Sequence, residues 1–170
     1  MEIKKILGEN RFETFSKTRY AARAVIKGDG GILLVHDLEN DVYMLPGGGL
    51  EKGETLEQCC IREVGEETGF QCRITGCPVQ VEEYYEEYRY IDRYYLCEIT
   101  GRGERRLTEN EARLRLSAEW MPAAECVGLF ARHNDFAAFE EKRGVYLREF
   151  TALSCCLNEK ERVRSYAGQV

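Results

Sequence analysis

The sequence predicts a mixed α/β domain, and three observations carry that expectation. Strand-like and helix-like stretches follow one another in the order strands, helix, strands, helix. Apolar residues make up 44% of 170 residues, enough for one well-buried core in a chain too short for two full domains. No internal repeat, low-complexity stretch or Pro/Ser-rich linker divides the chain.

Residues 20–27 (YAARAVIK), 31–36 (GILLVH) and 42–45 (VYML) are short apolar runs of strand composition, separated by Gly-Asp-Gly-Gly and Glu-Asn-Asp. The turn at 28–31 predicts a hairpin. Residues 79–90 and 94–99 predict a second, tyrosine-rich strand pair broken by Asp92-Arg93, and 118–121 a last short strand. Helical spacing marks 56–68. It recurs within 135–157 at Phe136, Phe139, Tyr146, Phe150, Leu153 and Leu157. Between the helices, 101–117 (GRGERRLTENEARLRLS) is highly charged and reads as a loop with one helical turn, a kind of segment that often carries function.

Composition narrows the function classes. A charged fraction of 32%, a mean hydropathy of -0.46 and no run near the ~18 apolar residues of a membrane helix predict a soluble chain without a membrane role. Residues 1–12 lack the apolar region of a secretory signal, so a cytoplasmic location is expected. A net charge of -6 works against affinity for nucleic acid, and a small anionic substrate then needs a local cation. The eight cysteines include no Cys-x-x-Cys pair and are expected to be mostly free, buried thiols.

The segment that carries chemistry is 46–70, PGGGLEKGETLEQCCIREVGEETGF. Thr55 with Gln58 three positions later forms a capping-box pattern, Glu57 suits the positive first turn, and Gly69 supplies a left-handed stop. At about 100° per residue from Leu56, Cys60, Val64 and Ile61 lie near about 40°, 80° and 140°, while Glu67, Glu63 and Glu66 lie near about 20°, -20° and -80°. This predicts a packing side flanked by an acidic one. Like charges at i, i+3 and i+4 destabilise a helix by about a few tenths of a kcal/mol per pair, and one arginine, Arg62, cannot neutralise three anions. A divalent cation with a preference for carboxylate oxygen can. The preceding glycines let backbone approach a ligand closely.

Gly48, five residues, Glu54, seven residues, then Arg62-Glu63-Val64-Gly65-Glu66-Glu67-Thr68-Gly69-Phe70 matches nine specified positions over 23 residues. In this the chain closely resembles the Nudix hydrolase family. The resemblance implies a Nudix-type α/β/α sandwich with a mixed sheet over 18–155, with 1–17 and 156–170 as terminal extensions. It implies Glu63, Glu66, Glu67 and the Gly47 carbonyl as ligands of Mg²⁺ or Mn²⁺, with Gly48, Glu54 and Gly69 as structural residues of the motif. Arg62 orients the carboxylates. The reaction implied is attack by water on a pyrophosphate in a small nucleotide-like diphosphate, with Glu66 the preferred base and Glu63 its rival. Glu109 and Glu111 of the late loop are further candidates.

Substrate identity is weakly marked. Tyr84, Tyr85, Tyr88 and Tyr90 suit strand packing, although Tyr88 resembles a tyrosine of family members acting on diadenosine polyphosphates, so Tyr88 and Glu111 are the candidate substrate-binding residues. No proline stands at Tyr85 or Glu86, where relatives specific for ADP-ribose tend to have one. Trp120 is expected in the core, and His36 and His133 are assigned no role. The absence of Gly-x-Ser-x-Gly and of a Walker loop excludes serine-hydrolase and P-loop readings. The alternatives are a catalytically silent nucleotide sensor, which would be expected to lose acids, and an RNA-cap-removing enzyme, which needs a basic path. Arg102, Arg105, Arg106, Arg113 and Arg115 make the late loop locally basic and suit substrate phosphates instead. A homodimer is expected at the level of the family.

Overall fold

The computed structural model describes residues 1–8 and 11–157. In chain order its elements are β1 (Glu2–Leu7), β2 (Lys17–Gly28), β3 (Gly31–Asp37), β4 (Val42–Met44), β5 (Gly47–Gly49), α1 (Leu56–Thr68), β6 (Phe70–Tyr85), β7 (Tyr88–Arg102), α2 (Glu109–Arg113), β8 (Ser117–Met121), α3 (Ala123–Ala131), a 3-10 turn (His133–Phe136) and α4 (Glu140–Cys156). The strands form one mixed sheet in the order β1-β6-β7-β2-β3-β4, with β5 also paired to β2 and β8 to β3.

Strand β2 is the spine of this sheet. It runs parallel to β7 and antiparallel to β3 and β5, and its residues 21–26 are all buried. Burial on both faces requires cover on both. On one face, Ala22, Ala24, Ile26, Tyr95 and Cys97 pack against Cys59, Cys60 and Val64 of α1. On the other, Val25, Leu34, Val79, Val81 and Tyr94 pack against Phe130 of α3 and Tyr146 and Leu153 of α4. The architecture is therefore an α/β/α sandwich, as the sequence implies.

Several expectations change in detail. The predicted break at Asp92-Arg93 does not occur, because Asp92 is held by Arg23 at 2.7 Å and the strand runs through both residues. The hairpin turn instead falls at Glu86-Glu87, where Glu86 takes the left-handed conformation (φ 47°). Strand β6 begins at Phe70, directly after α1, well before the predicted residue 79. Residues 2–7, set outside the domain by the sequence, form β1, paired in parallel with β6. The predicted late helix is α4, but α3 was not foreseen. Pro122 at its N-cap is the start signal. All eight cysteines are free thiols. Trp120 lies over Gly28 and Gly30 yet remains 36% exposed, so it caps the hairpin surface rather than filling the core.

Candidate active site

Helix α1 has the predicted ends. Thr55 and Gln58 form a reciprocal capping box, and Gly69 closes the helix in the left-handed conformation at φ 72°. Its facing differs from expectation. The buried residues are Cys59, Cys60, Glu63, Val64 and Glu67, whereas Ile61, placed on the packing side by its angle, is 43% exposed. The buried arc is centred near about 10° on the wheel, so Glu63 and Glu67 stand in its middle and Ile61 falls outside it. The acidic side and the packing side are one.

Arg62 organises the rim of this arc. Its guanidinium donates to Glu54 Oε1 at 2.7 Å and Oε2 at 3.1 Å, to Glu63 Oε1 at 2.9 Å, to Glu66 Oε2 at 3.0 Å and to the Gly49 carbonyl at 3.1 Å. The Arg62 hydrogen bond is the main reason the Glu54 carboxyl is held down to about 2. Glu54 also accepts the Glu51 N–H at 2.7 Å, which ties the loop before α1 to the clasp.

Strand β5 lies against the carboxylates without side-chain bulk. The Gly47 N–H donates to Glu67 Oε2 at 2.8 Å. A side chain on Gly48 would begin 2.4 Å from Glu63 Oε1, so a larger residue would push the Glu63 carboxylate aside. Glu63, Glu67 and Glu111 each bring a carboxylate oxygen within 4.8 Å of the others. Glu111 comes from α2, where it also caps the Thr108 N–H at 2.7 Å. Burial pushes the Glu67 carboxyl up to about 8 and raises Glu63 as well. Arg62 opposes the rise at Glu63, and the Gly47 N–H and Arg23 oppose it at Glu67, without cancelling burial. Hard oxygen donors converging beside a strand without side chains are a donor set that fits a divalent ion such as Mg²⁺ or Mn²⁺.

The late loop is fastened to α1 from behind. Arg105 Nε donates to the Glu67 carbonyl at 2.5 Å and its Nη2 to the Leu116 carbonyl, while the Arg106 N–H donates to the Glu66 carbonyl at 3.0 Å. These contacts position Glu111 over the helix. Arg102 stacks on the Phe70 ring, Arg113 pairs with Asn110 and Arg115 with Glu39.

The structure thus gathers Glu63, Glu67, Glu111, Gly47 and Gly48 at one point. Arg62 and Glu54 form the adjoining clasp. Glu66 stands at its edge, its side chain 35% exposed and bound to Arg62. Tyr88 stacks on Tyr90 at 5.5 Å beneath the Lys17 amine, at the start of β7. Glu109 is absent from the cluster of three acids.

Sequence reasoning missed Arg23. This buried residue donates to Asp92 at 2.7 Å and reaches the carbonyls of Leu45 at 3.4 Å and Gly47 at 3.5 Å. It belongs to a charge network with Glu149 at 3.8 Å, and Arg148 joins Glu149 at 3.2 Å and Glu83 at 3.4 Å. The signal was legible. A lone arginine interrupts the apolar run AARAVIK, and a lone aspartate the strand opposite.

Comparison with known proteins identifies the family. The sequence model of the NUDIX domain matches residues 17–141, and the chain belongs to that family. A Caenorhabditis elegans protein named as a nudix hydrolase is 30% identical over 122 residues, 67% of this chain and 32% of its own. A MutT-like protein of Streptomyces ambofaciens is 34% identical over 96 residues, 54% of this chain and 58% of its own. The chain therefore spans less than two thirds of the length of either relative. Among solved structures, a NUDIX hydrolase from Nitrosomonas europaea shares the fold with a TM-score of 0.56 at 19% identity, over 86% of this chain and 99% of that one. Among the described residues no helix is long and apolar enough to cross a membrane.

Proposed function

We propose that the protein hydrolyses, with a divalent metal, a pyrophosphate linkage in a nucleoside diphosphate joined to another moiety. The observation that carries this reading is the convergence of Glu63, Glu67 and Glu111 on one point beside a side-chain-free strand, with raised carboxyl values that a cation would reverse. The ion, Mg²⁺ or Mn²⁺, would be held by these carboxylates with the Gly47 carbonyl and Glu66, and supplies charge neutralisation on the phosphate oxygens. Glu66, at the rim with one oxygen on Arg62, would accept the proton of the attacking water. Glu63 is the alternative base. Arg62 fixes both carboxylates.

Membership of the NUDIX family supports the reaction class, and the complete set of acids argues against the silent-sensor reading. The test is incubation with Mg²⁺ or Mn²⁺ and a panel of ADP-ribose, nucleotide sugars, dinucleoside polyphosphates and nucleoside triphosphates, following release of a nucleoside monophosphate. Release that stops on adding EDTA is the expected result. Failure to cleave any member of the panel under either ion would refute the reading.

A further inference from the structure

We infer that Arg105 is a positioning residue of the metal site: it ties the backbone of Glu111 to that of Glu67, and the ion's affinity depends on it through Glu111. This rests on the metal-dependent reading of the acidic site and goes beyond it in naming what delivers the third acid.

The difficulty is mechanical. Glu63 and Glu67 stand one turn apart on α1, a helix capped at both ends. Glu111 arrives on α2, which is five residues long, far below the roughly 12 residues at which an isolated helix becomes marginally stable in water. Carboxylates that come within 4.8 Å of one another also repel. The bond from the Thr108 N–H to Glu111 Oε2 is internal to the late loop and cannot fasten it to α1.

Arg105 supplies the link with two bonds. Its Nε donates to the Glu67 carbonyl at 2.5 Å and its Nη2 to the Leu116 carbonyl. The Leu116 N–H then donates to the Glu111 carbonyl at 3.2 Å. A chain of contacts thus runs from Glu67 through Arg105 and Leu116 to Glu111, joining through the backbone the two residues whose carboxylates meet in the cluster.

The chemistry of the acceptors calls for this side chain. The Glu67 carbonyl lies in the last turn of α1, among the groups that a helix leaves without an N–H of its own. That end is negative and α1 has no basic residue in its last turn, so a cation from outside is favoured there. A planar guanidinium can hold two carbonyls from two segments at once, which a lysine amine does less well. The other arginines of the loop are used differently. Arg106 reaches α1 through its N–H, which any residue but proline supplies, while Arg102, Arg113 and Arg115 engage Phe70, Asn110 and Glu39. Arg105 is therefore turned inward to the helix, away from the phosphate-binding use that the loop's composition suggests.

The test is a double-mutant cycle on Mn²⁺ affinity, read from free ion by electron paramagnetic resonance, with wild type, Arg105→Met, Glu111→Gln and the double variant. Arg105→Met is expected to lose about fivefold or more in affinity and Glu111→Gln about tenfold. The double variant should bind within about twofold of Glu111→Gln, because Arg105 then has no acid left to place. The inference is overturned if Arg105→Met binds as tightly as wild type, or if its loss recurs in full on the Glu111→Gln background, which is what a general loosening of the fold would give. Should Arg105→Met not fold, Arg105→Lys takes its place in the cycle with the same outcomes. Absence of saturable binding in wild type would sink the metal reading, whereas independent losses in a protein that does bind Mn²⁺ would sink this inference alone.

Discussion

Two groups of acids, buried except for the half-buried Glu111, sit on opposite sides of β2, and they differ in what balances them. On the α4 side, Asp92, Glu83 and Glu149 are threaded by Arg23 and Arg148, at 2.7 to 3.9 Å. The arginines hold Asp92 below the ordinary carboxylate range despite complete burial. On the α1 side, Glu63, Glu67 and Glu111 converge with Arg62 bound to Glu63 at the rim, and burial pushes Glu67 up to about 8 although the Gly47 N–H and Arg23 oppose the rise. The first group is paired by arginines within the fold, although burial still raises Glu83 to about 7; the second has one ion pair at its rim and a donor set that fits a cation. Burial of acids is therefore not in itself a sign of function, but burial without matching cations is.

The comparison can be broken by substitution. The largest effect expected is on the unmatched side: Glu67→Gln should lower turnover by about two orders of magnitude or more while the circular dichroism spectrum and melting temperature of the metal-free protein hold or improve. Near-full activity in that variant contradicts its role as a ligand. On the matched side the outcome should invert. Arg23→Met removes a partner from buried charges and is expected to lower unfolding stability by about 3–5 kcal/mol in urea titrations, and a change below about 1 kcal/mol would show the network is not structural.

A smaller effect is expected from pH. Glu67 has its carboxyl raised in the folded protein from the ordinary 4.5 to about 8, so unfolding releases its proton more readily than the folded state does. Its contribution is fully present below about pH 4.5 and is lost as pH rises toward 8. In EDTA the melting temperature of wild type should therefore fall over this window more steeply than that of Glu67→Gln, and Mg²⁺ should restore more stability at pH 8 than at pH 6. Glu83, raised to about 7, adds a similar slope to both proteins and cancels in the comparison. Parallel curves would remove the claim that Glu67 is uncompensated. Smallest of all, Ile61→Gln should cost less than about 0.5 kcal/mol, since Ile61 lies outside the buried arc of α1.

Much of this was legible in the sequence, for physical reasons. The ends of α1 were readable because caps are local: Thr55, Gln58 and Gly69 act within a turn of themselves. The β2–β3 hairpin was readable because Gly28 and Gly31 pair directly across a two-residue turn. What failed was non-local. The facing of α1 could not be taken from apolar periodicity, because two of its five buried positions are glutamates. The strand through Asp92 looked broken because its partner, Arg23, lies 69 residues away. Glu111 could be named for substrate binding, and beside Glu109 as a base, but not placed with the helix acids, since the Arg105 and Arg106 contacts that fasten the late loop to α1 are non-local.

The central claim is tested most directly by titrating Mn²⁺ into metal-free protein and following free ion by electron paramagnetic resonance, with wild type and Glu67→Gln side by side. Saturable binding in wild type and loss of about tenfold or more in affinity for Glu67→Gln are the predicted results. Equal Mn²⁺ affinity in wild type and Glu67→Gln, or none in wild type, would contradict the account.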